Sequence, residues 1–326
     1  MEKINWGIIG CGDVTEVKSG PAFNKVDNSS LAAVMRRDAG KAKDYALRHG
    51  VPKWYTDAEK LINDPEVNAV YIATPPAFHE EYAIAAMHAG KPVYIEKPMA
   101  LDFAAAKNIT KVAQEKNSKL SVAHYRRGQP LFNKVKQLLK DNAIGEVRFA
   151  RLQFYKKQLP KEALDVPKVA WRVKPEIAGG GLFHDIAPHP LDLMHWFFGE
   201  IEKASGYSFN QSRLYGADDI VSGNILFKSG VIFNGLWCFN VAEENEKDYC
   251  EIVGSEGKMS FPIFEHKKIT VTKKGRTETI PFEPLEHVQQ PLIQKVVNYF
   301  LGKGENPCSG EDGATAMWLM EQFTKK

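Results

Sequence analysis

The stretch INWGIIGCGDVT, residues 4–15, decides the fold of the N-terminal part of the chain. Residues 4–9 are an apolar run typical of a buried β-strand, and a glycine turn and a helix start follow. Gly10 permits a tight turn, and Gly12 lets backbone N–H groups approach a phosphate. This order predicts a dinucleotide-binding turn, although a glycine pair can also turn the chain without a ligand. The residues assigned to it are Gly10, Cys11, Gly12, Asp13 and Val14, with Thr15 in place of the third glycine of G-x-G-x-x-G.

Short apolar runs alternate with amphipathic segments downstream of the turn. The runs that predict strands are 31–35, 69–73, 92–95 and 120–123, and the segments that predict helices are 41–49, 58–63, 80–89 and 103–116. Strands that are apolar throughout and alternate with helices favour a parallel sheet covered on both faces. Residues 1–123 are therefore predicted to form a doubly wound α/β domain that binds a dinucleotide.

The pattern changes after about residue 124. Strands are predicted at 146–158, 204–209, 219–227, 231–240, 248–253, 258–261 and 268–273, and a helix at 191–198. Tight polar turns between successive strands favour a mainly antiparallel sheet with one face open to water. Residues 124–326 are predicted to form an α+β domain for substrate binding and oligomer contacts. A last helix, 311–324, is expected to pack back on the first domain.

Composition excludes several classes of protein. The 326 residues carry 43 Lys+Arg and 40 Asp+Glu, so the net charge of +3 gives no basic stripe for nucleic acid. No apolar run is long enough to span a membrane, and no signal peptide precedes the first strand. The four cysteines have no zinc-like spacing and no disulfide framework, which favours a reduced, cytoplasmic location.

Two arginines, Arg36 and Arg37, follow the second predicted strand. An acidic residue at this place binds the ribose 2′-hydroxyl of NAD, whereas an arginine suits the 2′-phosphate of NADP. We therefore expect NADP rather than NAD, with a solvated strand end as the alternative.

A second motif, Glu96-Lys97-Pro98, follows the apolar strand at 92–95. It places a lysine at the carboxyl edge of the sheet, where ligands bind in open parallel sheets. Pro98 restricts Lys97 to extended backbone, which favours a defined side-chain direction. An ordinary strand-end lysine in water is the alternative.

A third motif runs from the glycine triplet 179–181 to Asp192. In a continuous helix Asp185 and His189 would share a face at i, i+4, but Pro190 predicts a helix start near 188–190 and leaves Asp185 in the entering loop. A carboxylate beside an imidazole orients the ring. A metal site is the alternative, although hydride-transfer chemistry needs no metal; its ligands would come from His184, Asp185, His189, Asp192 and His195.

These motifs, together with Ala73-Thr74-Pro75-Pro76 and His79, resemble the Gfo/Idh/MocA oxidoreductase family. The resemblance implies a Rossmann domain followed by an open-faced, mainly antiparallel domain that often mediates homodimer or homotetramer contacts. It implies that Lys97 belongs to the site, with His189 as proton donor or acceptor and Asp185 as its neighbour. Thr74, Pro75, His79, Glu96 and Lys97 itself would line the cofactor. Ala187 departs from the glycine usual in the family.

The resemblance also points to substrate contacts at Tyr125, Arg127, Trp171, Arg172 and His189. Arginines and aromatic rings suit a sugar or polyol, but salt bridges and core packing explain them about as well.

The hypothesis is reversible hydride transfer between nicotinamide C4 and a carbinol or carbonyl carbon. His189 would move the hydroxyl proton, Lys97 would donate a hydrogen bond to the same oxygen, and Asp185 would orient the imidazole. Two alternatives are a nicotinamide-dependent glycoside hydrolase and a non-catalytic NADP-binding sensor. Metal plays no part in the hypothesis.

Overall fold

The chain forms two compact units, which are described one at a time. The computed structural model describes residues 2–265 and 267–325. The first unit comprises Met1–Gln129 and Leu285–Met317, and the second comprises Pro130–Pro284 and Trp318–Lys326.

The α-helices of the described residues are numbered in chain order. Their bounds are α1 (Asp13–Val17), α2 (Ala39–His49), α3 (Ala58–Ile62), α4 (His79–His88), α5 (Phe103–Glu115), α6 (Pro130–Lys140), α7 (Pro167–Ala170), α8 (Pro175–Ala178), α9 (Gly181–Ile186), α10 (Pro188–Phe198), α11 (Gln290–Phe300) and α12 (Gly310–Thr324).

A six-stranded parallel sheet forms the centre of the first unit. Its strands are β1 (Ile4–Ile9), β2 (Ser29–Met35), β3 (Lys53–Tyr55), β4 (Ala69–Ile72), β5 (Val93–Ile95) and β6 (Leu120–Val122), in the order β3-β2-β1-β4-β5-β6. This is the strand order of a doubly wound dinucleotide-binding fold, with the switch point between β1 and β4. The predicted fold class of the N-terminal half is confirmed.

Local signals fix where the helices of this unit begin and end. Asp38 caps α2 by accepting a hydrogen bond from the backbone N of Lys41 at 3.0 Å, and Asp102 caps α5 in the same way. Such caps satisfy backbone donors that the first helical turn leaves without a partner. Gly50 ends α2 in the left-handed region at φ 64°, where glycine carries no steric penalty.

The core of the first unit contains a late segment of the chain. The ring of Phe300 lies 5.6 Å from that of Trp6, and the buried stripe of α11 joins the same cluster. These contacts explain why Leu285–Met317 groups with the N-terminal residues. The sequence had assigned every residue after 123 to the second domain. That functional boundary, and the packing of the last helix on the first domain, stay predictions.

An eight-stranded, mainly antiparallel sheet forms the second unit. Its strands are β7 (Val147–Lys157), β8 (Ile201–Phe209), β9 (Ile220–Phe227), β10 (Ile232–Val241), β11 (Lys247–Gly254), β12 (Gly257–Phe261), β13 (Lys268–Lys273) and β14 (Arg276–Pro281), in the order β14-β13-β12-β11-β7-β10-β9-β8. Only β7 and β10 pair in parallel. Alternating burial along β9 leaves one face exposed. The predicted second fold class is also confirmed.

Several elements of the second unit differ from the sequence-based prediction, which also lacked the helix α6. Asp185 lies in the short helix α9 rather than in a loop, although α10 does begin at Pro188, within the expected range. Strand β14 was not predicted, because its residues alternate threonine with charged side chains and are largely exposed. A solvated edge strand lacks the apolar period on which such predictions depend.

We expect Phe300→Ala to destabilise the first unit strongly. Phe300 is 4% exposed, and truncating a buried phenylalanine costs about 3–5 kcal/mol of the free energy of unfolding. The control Leu47→Ala removes a side chain that is 73% exposed and should change that free energy by less than about 0.5 kcal/mol. Urea unfolding of the full chain measures both. Equal, small effects would contradict the place of α11 in this core.

Candidate active site

The turn after β1 has the geometry that a close-approach glycine requires. Gly10 has a φ of +95°, and a Cβ atom there would lie 2.8 Å from the backbone N of Thr74. The backbone N–H groups of Gly10 and Cys11 donate to the Met35 carbonyl at 2.9 and 3.2 Å. Gly12 is the N-cap of α1. The turn therefore opens at the sheet's switch point, beside the end of β4.

Thr15 occupies the position of the third glycine of the motif, and the turn accommodates its side chain. Its side chain is fully buried, and its hydroxyl donates to the Gly12 carbonyl at 2.8 Å. The hydroxyl of Tyr45 donates to the Thr15 carbonyl at 2.8 Å. Close backbone packing occurs instead at Gly20, where a Cβ atom would lie 2.2 Å from the Thr15 carbonyl oxygen.

The cofactor residues Cys11, Asp13 and Val14 contribute differently. The Cys11 side chain is buried in the core, and burial raises the pKa of its thiol to about 11. The thiol is therefore neutral, and only the backbone of Cys11 belongs to the turn. Asp13 is exposed in the first turn of α1, and Val14 is half-buried.

The two arginines after β2 lie beside this turn. The half-buried Arg36 donates through Nη1 to the Cys11 carbonyl at 3.1 Å. The exposed Arg37 places its guanidinium 5.3 Å from the centre of the Phe78 ring. The Arg36 guanidinium makes no other hydrogen bond within residues 2–265 and 267–325, so its remaining N–H donors are available to an anion.

Thr74 and Pro75 follow β4, and here the structure offers a test of fit for a dinucleotide. The Thr74 hydroxyl is buried and makes no hydrogen bond to any described residue. A buried polar atom of this kind indicates an absent partner. Glycine-turn amides, a hydroxyl and a nearby guanidinium suit the sugar and phosphate groups of a dinucleotide. The residues present fit such a cofactor.

His79 ties two of these strand ends together. Its Nε2 lies 2.7 Å from the Thr74 carbonyl oxygen, and its Nδ1 lies 3.0 Å from that of Pro98. Burial lowers the pKa of His79 to about 4, so the ring is neutral and donates to one of these oxygens. The ring is fully buried. It contacts the segments at Thr74 and Pro98 from the interior of the unit. A direct contact of His79 with the cofactor stays a prediction.

Lys97 and Glu96 extend from the end of β5 in different ways. Lys97 is half-buried, and its peptide bond to Pro98 is cis. The Glu96 carboxylate, by contrast, turns into the unit, where the hydroxyl of Tyr71 and the Nε2 of Gln289 each lie 2.6 Å from its Oε1. Tyr71 and Gln289 were missed from the sequence. Gln289 gave no local signal, because it reaches Glu96 from a segment 193 residues away.

Two residues of the first unit that were predicted to contact the substrate have partners inside that unit. Arg127 is 5% exposed and forms an ion pair with Asp312 at 3.1 Å, and it donates to the Pro307 carbonyl at 3.4 Å. Tyr125 belongs to the apolar core. These contacts account for both side chains without a substrate, and their assignment to the substrate stays a prediction.

Arg172 contacts a predicted catalytic residue in the second unit. Its Nε lies 3.2 Å from Oδ2 of Asp185, and its guanidinium stacks 4.5 Å from the Trp171 ring centre. His189, on the next helix, is 4% exposed and packs edge-on against the Phe264 ring at 5.6 Å. The structure therefore brings Trp171, Arg172 and Asp185 together.

His184 is buried beside the glycine triplet. Its Nδ1 lies 3.1 Å from the Gly180 carbonyl oxygen, and a Cβ atom at Gly180 would lie 2.1 Å from the ring. Burial lowers the pKa of His184 to about 4.

Across residues 2–265 and 267–325, no three His, Cys, Asp or Glu side chains are grouped to hold a metal ion. None of the helices in this part of the chain is long and apolar enough to cross a membrane.

Comparison with known proteins matches both halves of the chain to one family. Residues 4–124 match the family described as "Oxidoreductase family, NAD-binding Rossmann fold", and residues 132–260 match the "GFO/IDH/MocA C-terminal domain". "Oxidoreductase P35" of Formosa agariphila is 49% identical over 321 residues, which is 98% of each chain. A 1,5-anhydro-D-fructose reductase of Ensifer adhaerens is 27% identical, covering 96% of this chain and 92% of its own.

A solved structure supports the fold. Levoglucosan dehydrogenase in complex with NADH and levoglucosan has a TM-score of 0.88 to this chain at 22% identity, covering 98% of this chain and 96% of that chain.

We expect the stability of the second unit to depend on pH through His184. Its folded pKa of about 4 lies below the ordinary 6.5, so the unfolded chain binds more protons between these values. The free energy of unfolding should therefore fall by about 3 kcal/mol as the pH drops through this window. Urea unfolding across that range measures the slope. His184→Leu should flatten it, and an unchanged slope in that variant would contradict the assignment.

Proposed function

Because the chain belongs to the GFO/IDH/MocA family of NAD-binding Rossmann-fold oxidoreductases, we propose that it transfers a hydride between a nicotinamide cofactor and a hydroxyl or carbonyl carbon of a sugar or polyol. The observation that carries this proposal is the place of Lys97 at the carboxyl edge of the parallel sheet. The glycine turn and Thr74 lie at the same edge. Ligands of open parallel sheets bind there.

The chemistry divides between the cofactor and the protein. A bound nicotinamide supplies or accepts the hydride at its C4 position. His189 removes the proton of the substrate hydroxyl in oxidation and returns it in reduction. Lys97 donates a hydrogen bond to the substrate oxygen and stabilises the negative charge that develops there.

Asp185 keeps the His189 imidazole oriented, and Arg172 supports this role. Its Nε lies 3.2 Å from Oδ2 of Asp185 and holds this carboxylate in place. Arg172 therefore acts on the site through Asp185 in this proposal, in addition to the substrate contact expected from the sequence. Trp171 fixes the guanidinium plane by stacking.

The substrate class rests on the relatives and on the site residues. The Ensifer adhaerens protein reduces an anhydro-sugar by its name, and the structural neighbour was solved with levoglucosan. A sugar or polyol offers a secondary hydroxyl to His189 and further hydroxyls to polar side chains. The alternative hydrolase would cleave a glycoside with no net change in nicotinamide absorbance.

The cofactor preference rests on Arg36. Its guanidinium is anchored to the Cys11 carbonyl at 3.1 Å, beside the turn that would hold the pyrophosphate. A guanidinium there suits a 2′-phosphate, which favours NADP over NAD.

Assembly as a homodimer or homotetramer completes the proposal. Tyr207 and Phe209 on β8 are 85% and 62% exposed, and Ile232 on β10 is 51% exposed. Strand register places all three on the same open face of the eight-stranded sheet. Large apolar side chains grouped on one open face are typical of an interface. The four scattered cysteines, which form no disulfide among themselves, support a cytoplasmic location.

We expect Lys97→Met and His189→Asn to lower turnover by about 10²- to 10⁴-fold. Both variants should bind the cofactor as the unaltered protein does, because neither side chain belongs to the phosphate-binding turn. A spectrophotometric screen of sugars, inositols and their keto forms supplies the substrate. Lys107→Met and His88→Asn remove exposed side chains of the same types and serve as controls. Near-normal turnover in both site variants would place the chemistry elsewhere.

Fluorescence titration tests the cofactor preference. We expect tighter binding of NADP(H) than of NAD(H). Because a hydrogen bond to a charged group contributes about 1.5–3 kcal/mol, Arg36→Ala should weaken NADP(H) binding by about 10- to 100-fold. The affinity for NAD(H) should change far less, and Arg276→Ala on β14 should affect neither. Tighter binding of NAD(H) by the unaltered protein would overturn the preference.

A further inference from the structure

Glu96 is a buried carboxylate held by neutral donors. It is 5% exposed and accepts three hydrogen bonds: two at 2.6 Å, from the Tyr71 hydroxyl and from Nε2 of Gln289, and one at 3.1 Å from the backbone N of Lys97. Within the described residues no cationic side chain lies at ion-pair distance from it. All three partners donate, so the carboxylate accepts in each of these bonds.

Tyr71 extends this contact towards the phosphate-binding turn. Besides its bond to Glu96, the Tyr71 hydroxyl lies 3.1 Å from Oγ of Ser19. Ser19 is fully buried, comes shortly after α1, and also lies 3.3 Å from the Val14 carbonyl oxygen. One side of Glu96 is thus joined to the segment that carries the glycine turn.

Gln289 makes the same connection from the other side. It is fully buried, and its backbone N donates to the Lys18 carbonyl at 3.2 Å while its side chain holds Glu96. Close by, His287 places Nδ1 at 2.6 Å from the Val17 carbonyl oxygen. The segment after α1 is therefore fastened to residues 287–289, and both routes end at one carboxylate.

We propose that Tyr71 and Gln289 are positioning residues for Lys97. Both bind Oε1 of Glu96, which leaves Oε2 directed at the backbone N–H of Lys97. This arrangement fixes the main chain from which the lysine side chain extends. It also keeps that main chain at a fixed position relative to the glycine turn. The inference rests on the proposed function in taking Lys97 as a group that acts on the substrate.

The physical reason is the cost of leaving a buried polar group without its partners. A buried carboxylate that loses one of its donors must rotate or admit water. Each of these changes weakens the bond from Oε2 to the Lys97 N–H. Loss of a donor on the far side of Glu96 therefore loosens the lysine main chain without removing any group that would touch the cofactor or substrate.

A neighbouring tyrosine provides a matched control. Tyr94 on β5 is fully buried like Tyr71, its ring stacks on that of Tyr71 at 5.1 Å, and its hydroxyl lies 3.5 Å from Oε1 of Gln289. Its hydroxyl makes no hydrogen bond to Glu96. Tyr71→Phe and Tyr94→Phe each remove one buried hydroxyl from the same core, but only the first removes a bond to the carboxylate.

The first test needs no substrate. Amide hydrogen exchange of Lys97, measured by NMR on the full chain without added cofactor, should be about tenfold faster in Tyr71→Phe, as expected for a weakened hydrogen bond. Gln289→Met should have the same effect, and it replaces Tyr71→Phe if that variant does not fold. Tyr94→Phe should leave the exchange unchanged. Unchanged exchange in Tyr71→Phe, or equal acceleration in Tyr94→Phe, overturns the inference.

Kinetics with the best sugar from the screen supply the second test. Tyr71→Phe should lower kcat by about tenfold while the KM and the cofactor Kd stay unchanged. In a Lys97→Met background the same substitution should have no further effect, because it acts through the lysine. An additive loss would show a general structural role and overturn the inference. Full activity of Lys97→Met alone would instead refute the proposed function, so the two failures are distinguishable.

Discussion

Close approach between the ends of β1 and β4 is the constraint on which the rest of the first unit depends. Only a residue without a Cβ atom fits at Gly10, where Thr74 lies 2.8 Å from the place of that atom. From Thr74 the connection continues through the His79 ring to Pro98, the residue after Lys97. The turn, the buried hydroxyl and the lysine segment thus lie along one short series of contacts.

The polar groups at this sheet edge are satisfied mainly by backbone atoms and neutral side chains. His79 faces two carbonyl oxygens, and Glu96 is held by a hydroxyl, an amide and a backbone N–H. Exposed ion pairs such as that of Lys25 with Glu286 lie on the surface, where they contribute little. Directional bonds in a buried setting orient groups more strictly than surface charges do. A site built this way is organised before any ligand arrives.

The predictable parts of the fold are those with a strong local pattern. Apolar strands between helices identified the parallel sheet, and the motifs around Gly10, Lys97 and Asp185 identified the family. Strand β14 was not predicted, because its side chains are mainly polar and exposed. Gln289 was missed for another reason. Nothing in the sequence around it indicates its hydrogen bond to Glu96, because that contact depends on the return of a distant segment. Long-range polar contacts have no sequence period, whereas strands and helices do.

The return of α11 has a consequence for the order in which the protein can be made. Trp6 and Tyr94 complete their packing only when residues up to Phe300 are available. During synthesis this hydrophobic surface cannot be covered until the ribosome has added those residues. Until then the nascent N-terminal sheet presents an incompletely covered aromatic face to the cell, which is the kind of surface that chaperones recognise.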